Sequence, residues 1–300
     1  MNELCEIVFY HHSGFTAALK DTLVVFDYWE GHGETLAPAK RLTTERMKAY
    51  TYVYVFTSHA HPDHMDPVIY TWDRDPPVIY VTAADVPVGT RGRRMAPGDE
   101  MPLHDGVYAR AFQSTDSGVS FLVDLYGCRV FHAGDLNLWH WRQESTFREI
   151  AVSEKAFEEA IGPIADHKID IALFPVDPRQ GALYDAGAIQ FILSVKPKLL
   201  IPMHWQGRAD VATDFARRMT DKTTTVYALT KPRERLTYLL MPDGIPKIDV
   251  YYQEPARPKP PETAAADPLD PIDDTMDDGR NPFTQSDMPV DIHMDEEGEA

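Results

Sequence analysis

The stretch Val53–Tyr70, VYVFTSHAHPDHMDPVIY, passes within a few residues from β-forming side chains to three histidines and an aspartate. Residues 52–56, YVYVF, are apolar throughout, the pattern of a strand covered on both faces. His59 and His61 are two apart and point the same way in an extended chain. Pro62 then fixes φ and bends the path, so that Asp63 and His64 approach from another side. Imidazoles and a carboxylate packed this closely repel once charged and desolvate badly, unless they share a partner. A divalent cation is such a partner, and the loop is read as a metal-ligand cluster at a strand end. Asp66 and Pro67 follow as an N-cap and a first-turn proline, predicting a short helix there.

Working outward, residues 1–253 alternate strands and helices. Residues 5–10, 15–19 and 22–28 read as early antiparallel strands. Residues 78–82, 107–112, 119–125 and 129–133 read as further strands. Residues 144–161 form an amphipathic pattern, 169–176 a buried strand, 186–195 a helix, 198–203 another buried strand, and 209–219 a helix. Strands followed by β/α units in both halves predict an α/β protein with two sheets face to face and helices outside.

The chain has 300 residues, of which 43% are apolar, enough for one large core or two small ones. A net charge of −18 disfavours nonspecific binding to a nucleic acid backbone. The basic run RGRRM (91–95) lacks interleaved aromatics and reads as a solvated loop. Fourteen acids stand against three bases in residues 254–300, which therefore hold −11 of that charge. This Pro-rich segment has too little apolar surface to offset ordering entropy and is expected to be a disordered tail. Two cysteines, Cys5 and Cys128, argue against a disulfide framework and fit a reducing compartment. Neither a signal peptide nor a membrane span is read, so the expected location is the cytoplasm.

The block HAHPDH (59–64) matches H-x-H-x-D-H at every specified position, and the chain resembles the metallo-β-lactamase superfamily. Three more blocks carry the resemblance: VVFDY with Asp27, FHAGDLN with Asp135, and IPMHWQG with His204. Together they most resemble the branch near ascorbate-6-phosphate lactonase and related metal-dependent hydrolases. The resemblance implies a four-layer αββα sandwich and a hydrolase. It implies one metal site of Asp63, His64, Asp135 and His204, and another of His59, His61 and Asp135. The further histidine usual in the latter is absent from ARAFQSTDSGVSF (109–121). Either Asp116 completes that site or the centre is mononuclear; His104, in a PLHDG turn, is the weaker candidate. Zn²⁺, as one or two ions, is the expected cofactor, with Mn²⁺ or Fe²⁺ as the alternative if oxygen ligands are numerous. Asp63 and Asp135 are the expected catalytic carboxylates, and Asp63 is a ligand, a proton acceptor, or both.

Around this set, His12 in the YHHSGF turn matches a histidine that related hydrolases tend to carry before a small residue, and is expected either to line the site or to serve the turn itself. Trp139, His140 and Trp141 would form an aromatic wall over the metal, or else a helix start packs these aromatics into the core. Arg179, past a buried strand, would clamp an anionic group, or else pair with Asp177 in a surface turn. His132 reads as a residue behind the ligands. The expected substrate is a small ester, lactone or phosphoester, with no nucleic acid or membrane partner. A metal-binding or sensing protein without turnover, and less favoured a nuclease, are the rival readings.

Overall fold

Period-two alternation buries both faces of the first strands. In Glu3–His11 (β1), Cys5, Ile7 and Phe9 face one apolar cluster while Val8 and Tyr10 face another. Gly14–Leu19 (β2) and Thr22–Phe26 (β3) continue the antiparallel run. After the short helix Thr44–Met47 (α1), the strand Tyr52–Thr57 (β4) pairs parallel to β3. It sends Tyr54 and Phe56 to the first cluster and Val53 and Val55 to the second. Ile79–Ala83 (β5) and Gly92–Met95 (β6) extend the sheet in parallel.

The second sheet starts with Glu100–His104 (β7), Val107–Gln113 (β8), Val119–Leu125 (β9) and Cys128–His132 (β10), all antiparallel neighbours. Helix Phe147–Ala165 (α2) leads to Ile171–Pro175 (β11), and helix Ala186–Val195 (α3) to Leu199–Met203 (β12). Helix Ala209–Met219 (α4) leads to Thr225–Val226 (β13). Glu234–Leu240 (β14) and Lys247–Tyr252 (β15) return to the first sheet beside β1. The orders are β15-β14-β1-β2-β3-β4-β5-β6 and β13-β12-β11-β10-β9-β8-β7.

This computed structural model describes residues 3–31, 36–86, 92–140, 144–219, 223–240 and 247–252. The expected disordered tail, 254–300, lies outside the described residues.

The two sheets share the main core, closed on the far side of the second sheet by Phe157 and Ile161 of α2, Phe191 of α3 and Phe215 of α4. Phe191 stacks on Phe174 of β11 at 4.4 Å. Outside the first sheet, Met47 of α1, Ile69 of a 3-10 turn, Leu42 and Trp72 cover Val25 and Val55. The sandwich is therefore αββα, with long helices on one side and short turns on the other.

Several expectations shift. Residues 92–95 form an edge strand rather than a solvated loop, since β5 leaves a row of backbone groups for them to pair with; Arg91 lies outside the described residues. His104 closes β7 instead of sitting in a turn; its ring nitrogens meet Tyr54, Thr22 and Tyr126, between the sheets. α2 begins at Phe147, not 144, because Thr146 and Glu149 form a reciprocal capping box there. The short helix expected at Asp66-Pro67 is a 3-10 turn, Pro67–Thr71, capped by Asp66. Nothing in the local sequence of β14 and β15 announces that they join the first sheet beside β1.

Among the described residues no helix is long and apolar enough to cross a membrane.

Candidate metal centre

β1, β3, β4, β8, β10, β11 and β12 run in the same sense within their sheets, and the chemistry-bearing residues follow their C-terminal ends. This is where open α/β sheets place ligand crevices. The ligand loop after β4 is held from below by Asp27, one residue past β3, whose Oδ1 accepts from Ser58 N (2.7 Å) and Oδ2 from Ser58 Oγ (2.6 Å). Pro62 and Asp63 make one helical turn, closed by His64 N donating to His61 O at 3.0 Å. That turn brings His64 round beside His59, with ring centroids 4.2 Å apart, and Asp63 toward His12.

Asp135 lies at the centre. Its Oδ1 is 3.0 Å from His64 Nε2 and 3.4 Å from His204 Nε2. Its Oδ2 is 3.4 Å from His59 Nε2 and 4.0 Å from His61 Nδ1. Each oxygen thus addresses a different pair of imidazoles, as a bridging carboxylate must. Three groups have ligand atoms all within 4.8 Å of one another: His59, His64 and Asp135; His61, Asp116 and Asp135; and His12, Asp63, His64 and His204. Asp116 therefore stands within reach of His61 and Asp135.

The chemistry of this donor set fits a metal. Buried His12 Nε2, His64 Nε2, His204 Nε2 and Asp135 Oδ1 all lack a hydrogen bond. Four orphaned polar atoms converging in one place would be costly without a common partner. The other ring nitrogens are already committed: His64 Nδ1 meets Asp27 Oδ2 at 2.7 Å and His204 Nδ1 meets Asp177 Oδ2 at 2.8 Å. These carboxylates aim each Nε2 inward, as outer partners of metal-bound histidines do. His59, His61, Asp116 and Asp135 could hold one ion, and Asp63, His64, Asp135 and His204 another.

The sequence offers Asp177 only as a partner for Arg179, and that pair is present, with Arg179 Nη2 2.6 Å from Asp177 Oδ2. Its contact with His204 was missed, because the two are 27 residues apart and meet only through β11 and β12 pairing. Asp177→Asn is expected to lower divalent-cation affinity about 10–100-fold, read by competition with a chromogenic chelator. The fold should persist, since the remaining oxygen can still accept from Arg179 N.

The other expected residues fall as follows. Trp139 donates from Nε1 to Asp135 O at 2.7 Å and stands edge-on to His204. Trp141 lies outside the described residues. His12 is buried, with Nε2 3.3 Å from Asp63 Oδ2. His132 sits behind the candidate ligands, its Nδ1 3.7 Å from Asp27 Oδ2, the oxygen that meets His64, and its Nε2 against Ser13 O at 2.9 Å. His104 is remote, in the inter-sheet contact described above. His61, Asp63, Thr115, Asp116, Asp135, Trp139, Arg179 and His204 line an open cleft of about 320 Å³. Thr115 ties its loop to the Asp135 loop through Asn137.

The charges are interlocked. Burial, then the neighbouring His204, push the His12 imidazole down to about 3, so it is neutral near pH 7. Burial opposes charge on His64, yet Asp135 and Asp27 raise its pKa well above the ordinary value. Burial would raise Asp135, but His64 and His204 hold it well below the usual carboxylate range. In the metal-free protein the His64 proton therefore adds stability that is full below about 6.5, the unfolded value, and is lost as pH rises through the raised folded value. A cation must displace that proton, so its apparent affinity is expected to climb with pH over the same window, by up to about tenfold per unit. Calorimetric titration at pH 7 in buffers of different ionisation enthalpy should show proton release; none would contradict the scheme.

No family model matches the chain. It is 25% identical over 199 residues to the UPF0173 metal-dependent hydrolase of Staphylothermus marinus, an alignment covering 62% of this chain and 78% of that protein. Among solved structures, Igni18, a metallo hydrolase from the archaeon Ignicoccus hospitalis, superposes with a TM-score of 0.56 at 17% identity, over 78% of this chain and 98% of that one. The metallo-β-lactamase fold protein YhfI of Bacillus subtilis superposes at 0.52 and 11% identity, over 80% and 100%.

Proposed function

We propose that this chain is a metal-dependent hydrolase of the metallo-β-lactamase superfamily, acting on a small ester, lactone or phosphoester. The observation that carries this reading is Asp135 presenting one oxygen to each of two histidine pairs at the base of an open cleft. When bound there, a divalent cation supplies Lewis acidity and brings the pKa of water near 7.

The chain's own residues do the rest. Asp63, partly exposed beside the cleft, is placed to accept a proton as well as to ligate. Trp139 walls the cleft beside His204 and limits access of bulk water. Arg179, half exposed at the rim and oriented by Asp177, offers positive charge to an anionic group on the substrate. A cleft of about 320 Å³ suits a small molecule better than a polymer. The strongly negative net charge also weighs against nucleic acid. Zn²⁺ matches the imidazoles, and Asp116 adds the oxygen character that favours Mn²⁺ or Fe²⁺. The buried free thiols Cys5 and Cys128 support a cytoplasmic location.

Stripping the protein with a chelator is expected to abolish turnover in a panel of aryl esters, lactones and phosphodiesters, and adding back Zn²⁺, Mn²⁺ or Fe²⁺ to restore it. Full turnover after stripping would refute the proposal. Stoichiometric metal with no turnover on any substrate would instead favour a binding or sensing role.

A further inference from the structure

The turn between β1 and β2 delivers a histidine that the H-x-H-x-D-H loop does not account for. His12 follows the last residue of β1 with a left-handed backbone, φ 54°, and is buried. Its carbonyl accepts from His204 N at 3.3 Å, so the turn and the His204 loop are joined through their backbones. The two imidazoles lie with centroids 4.0 Å apart, and the His12 ring meets His64 edge-on at 5.7 Å. His12 Nε2 approaches Asp63 Oδ2 at 3.3 Å without a hydrogen bond being formed, and solvent does not reach it.

We infer that His12 is itself a ligand of the cation held by Asp63, His64, Asp135 and His204, so that this site offers five protein donors. This rests on the metal-dependent reading above. The ligand atoms of His12, Asp63, His64 and His204 lie within 4.8 Å of one another. Donors about 2.1 Å from one ion are separated by about 3.0 Å when adjacent and about 4.2 Å when opposite, so these four need only a slight contraction to close on it; Asp135 Oδ1 stands beside them, 3.0 Å from His64 Nε2 and 3.4 Å from His204 Nε2. A residue lining the cleft for substrate would present a reachable nitrogen. His12 lines a neighbouring pocket beside His11, Trp29 and Trp205, but its Nε2 is sealed and it is absent from the lining of the cleft that holds Asp135 and His204.

The consequence is a coordination number above four. Three imidazoles and two carboxylates overfill a tetrahedral zinc site and suit a five- or six-coordinate ion of the Mn²⁺, Fe²⁺ or Co²⁺ class. The group containing His61 and Asp116 has fewer nitrogen donors, so the two sites should differ in preference.

The test uses full-length protein, metal-stripped and titrated with Co²⁺ while the visible absorption and calorimetric heat are followed. Wild type is expected to take up Co²⁺ with high affinity. His12→Ala is expected to lose at least about tenfold in affinity for one ion and to change the ligand-field bands. His11→Ala, the neighbouring substitution, should leave both as in wild type. Binding and bands unchanged in His12→Ala would overturn this assignment alone. No Co²⁺ uptake by wild type would overturn both the assignment and the metal-dependent reading beneath it. Because His12→Ala could disturb the turn, a second measurement uses the unaltered chain. In Co²⁺-loaded protein with ¹⁵N-labelled histidine, the His12 ring should be among those directly ligated by paramagnetic shift; an unligated His12 ring would overturn the assignment.

Discussion

Asp135→Ala is expected to remove hydrolysis by at least about 10³-fold, equivalent to a loss of several kcal/mol of charge stabilisation, and to lower the bound metal by at least one ion. The reason is positional. His59, His61, His64 and His204 each contact one of its oxygens, and no other described carboxylate faces both histidine pairs. Asp135→Asn should behave almost as badly, because it keeps the volume but not the charge that balances the imidazoles. Elemental analysis beside a hydrolysis assay checks this. Retention of full metal content in both variants would show that the two histidine pairs do not depend on a shared carboxylate.

The second large effect lies behind the histidine loop. Gly118, in the connection before β9, has φ 66°, and a Cβ built on it would stand 1.9 Å from Ser58 O and 2.7 Å from His59 Cβ. Val119 N donates to that same Ser58 oxygen at 3.0 Å, which pins the ligand loop to the second sheet. Gly118→Ala therefore combines a left-handed backbone with a backbone collision, at about 2–5 kcal/mol together. The melting temperature should fall by about 5–15 °C, and cation affinity should fall with it, since His59 must move. Gly98→Ala is the comparison: φ is 93° there too, but nothing lies within 4 Å, so only the backbone cost applies. Equal losses in the two variants would show that the Ser58 contact is unimportant.

The amino-acid sequence alone determined the strands whose side chains leave no choice. Residues 52–57 and 119–125 are apolar enough that only a buried strand satisfies them. It also determined that His59, His61, Asp63 and His64 share one loop at a strand end, because they are neighbours in the chain and their spacing is local information. Strand-end residues such as Asp135 and His204 were legible through their short motifs. What the tertiary structure decided is everything that depends on which strand ends meet. Asp177 reaches His204 only because β11 and β12 pair in parallel with Pro175 opposite Met203. Asp116 reaches His61 and Asp135 only because β8 and β10 run in the same sense, each antiparallel to β9. His12 joins Asp63 and His64 only because β1 and β4 end on the same rim. β14 and β15, far along the chain from β1, carry no local signal for joining it, since pairing across more than 200 residues is settled by the edge left open. Local spacing fixes local geometry. Contacts between distant segments follow from register and strand direction, which no single stretch of sequence contains.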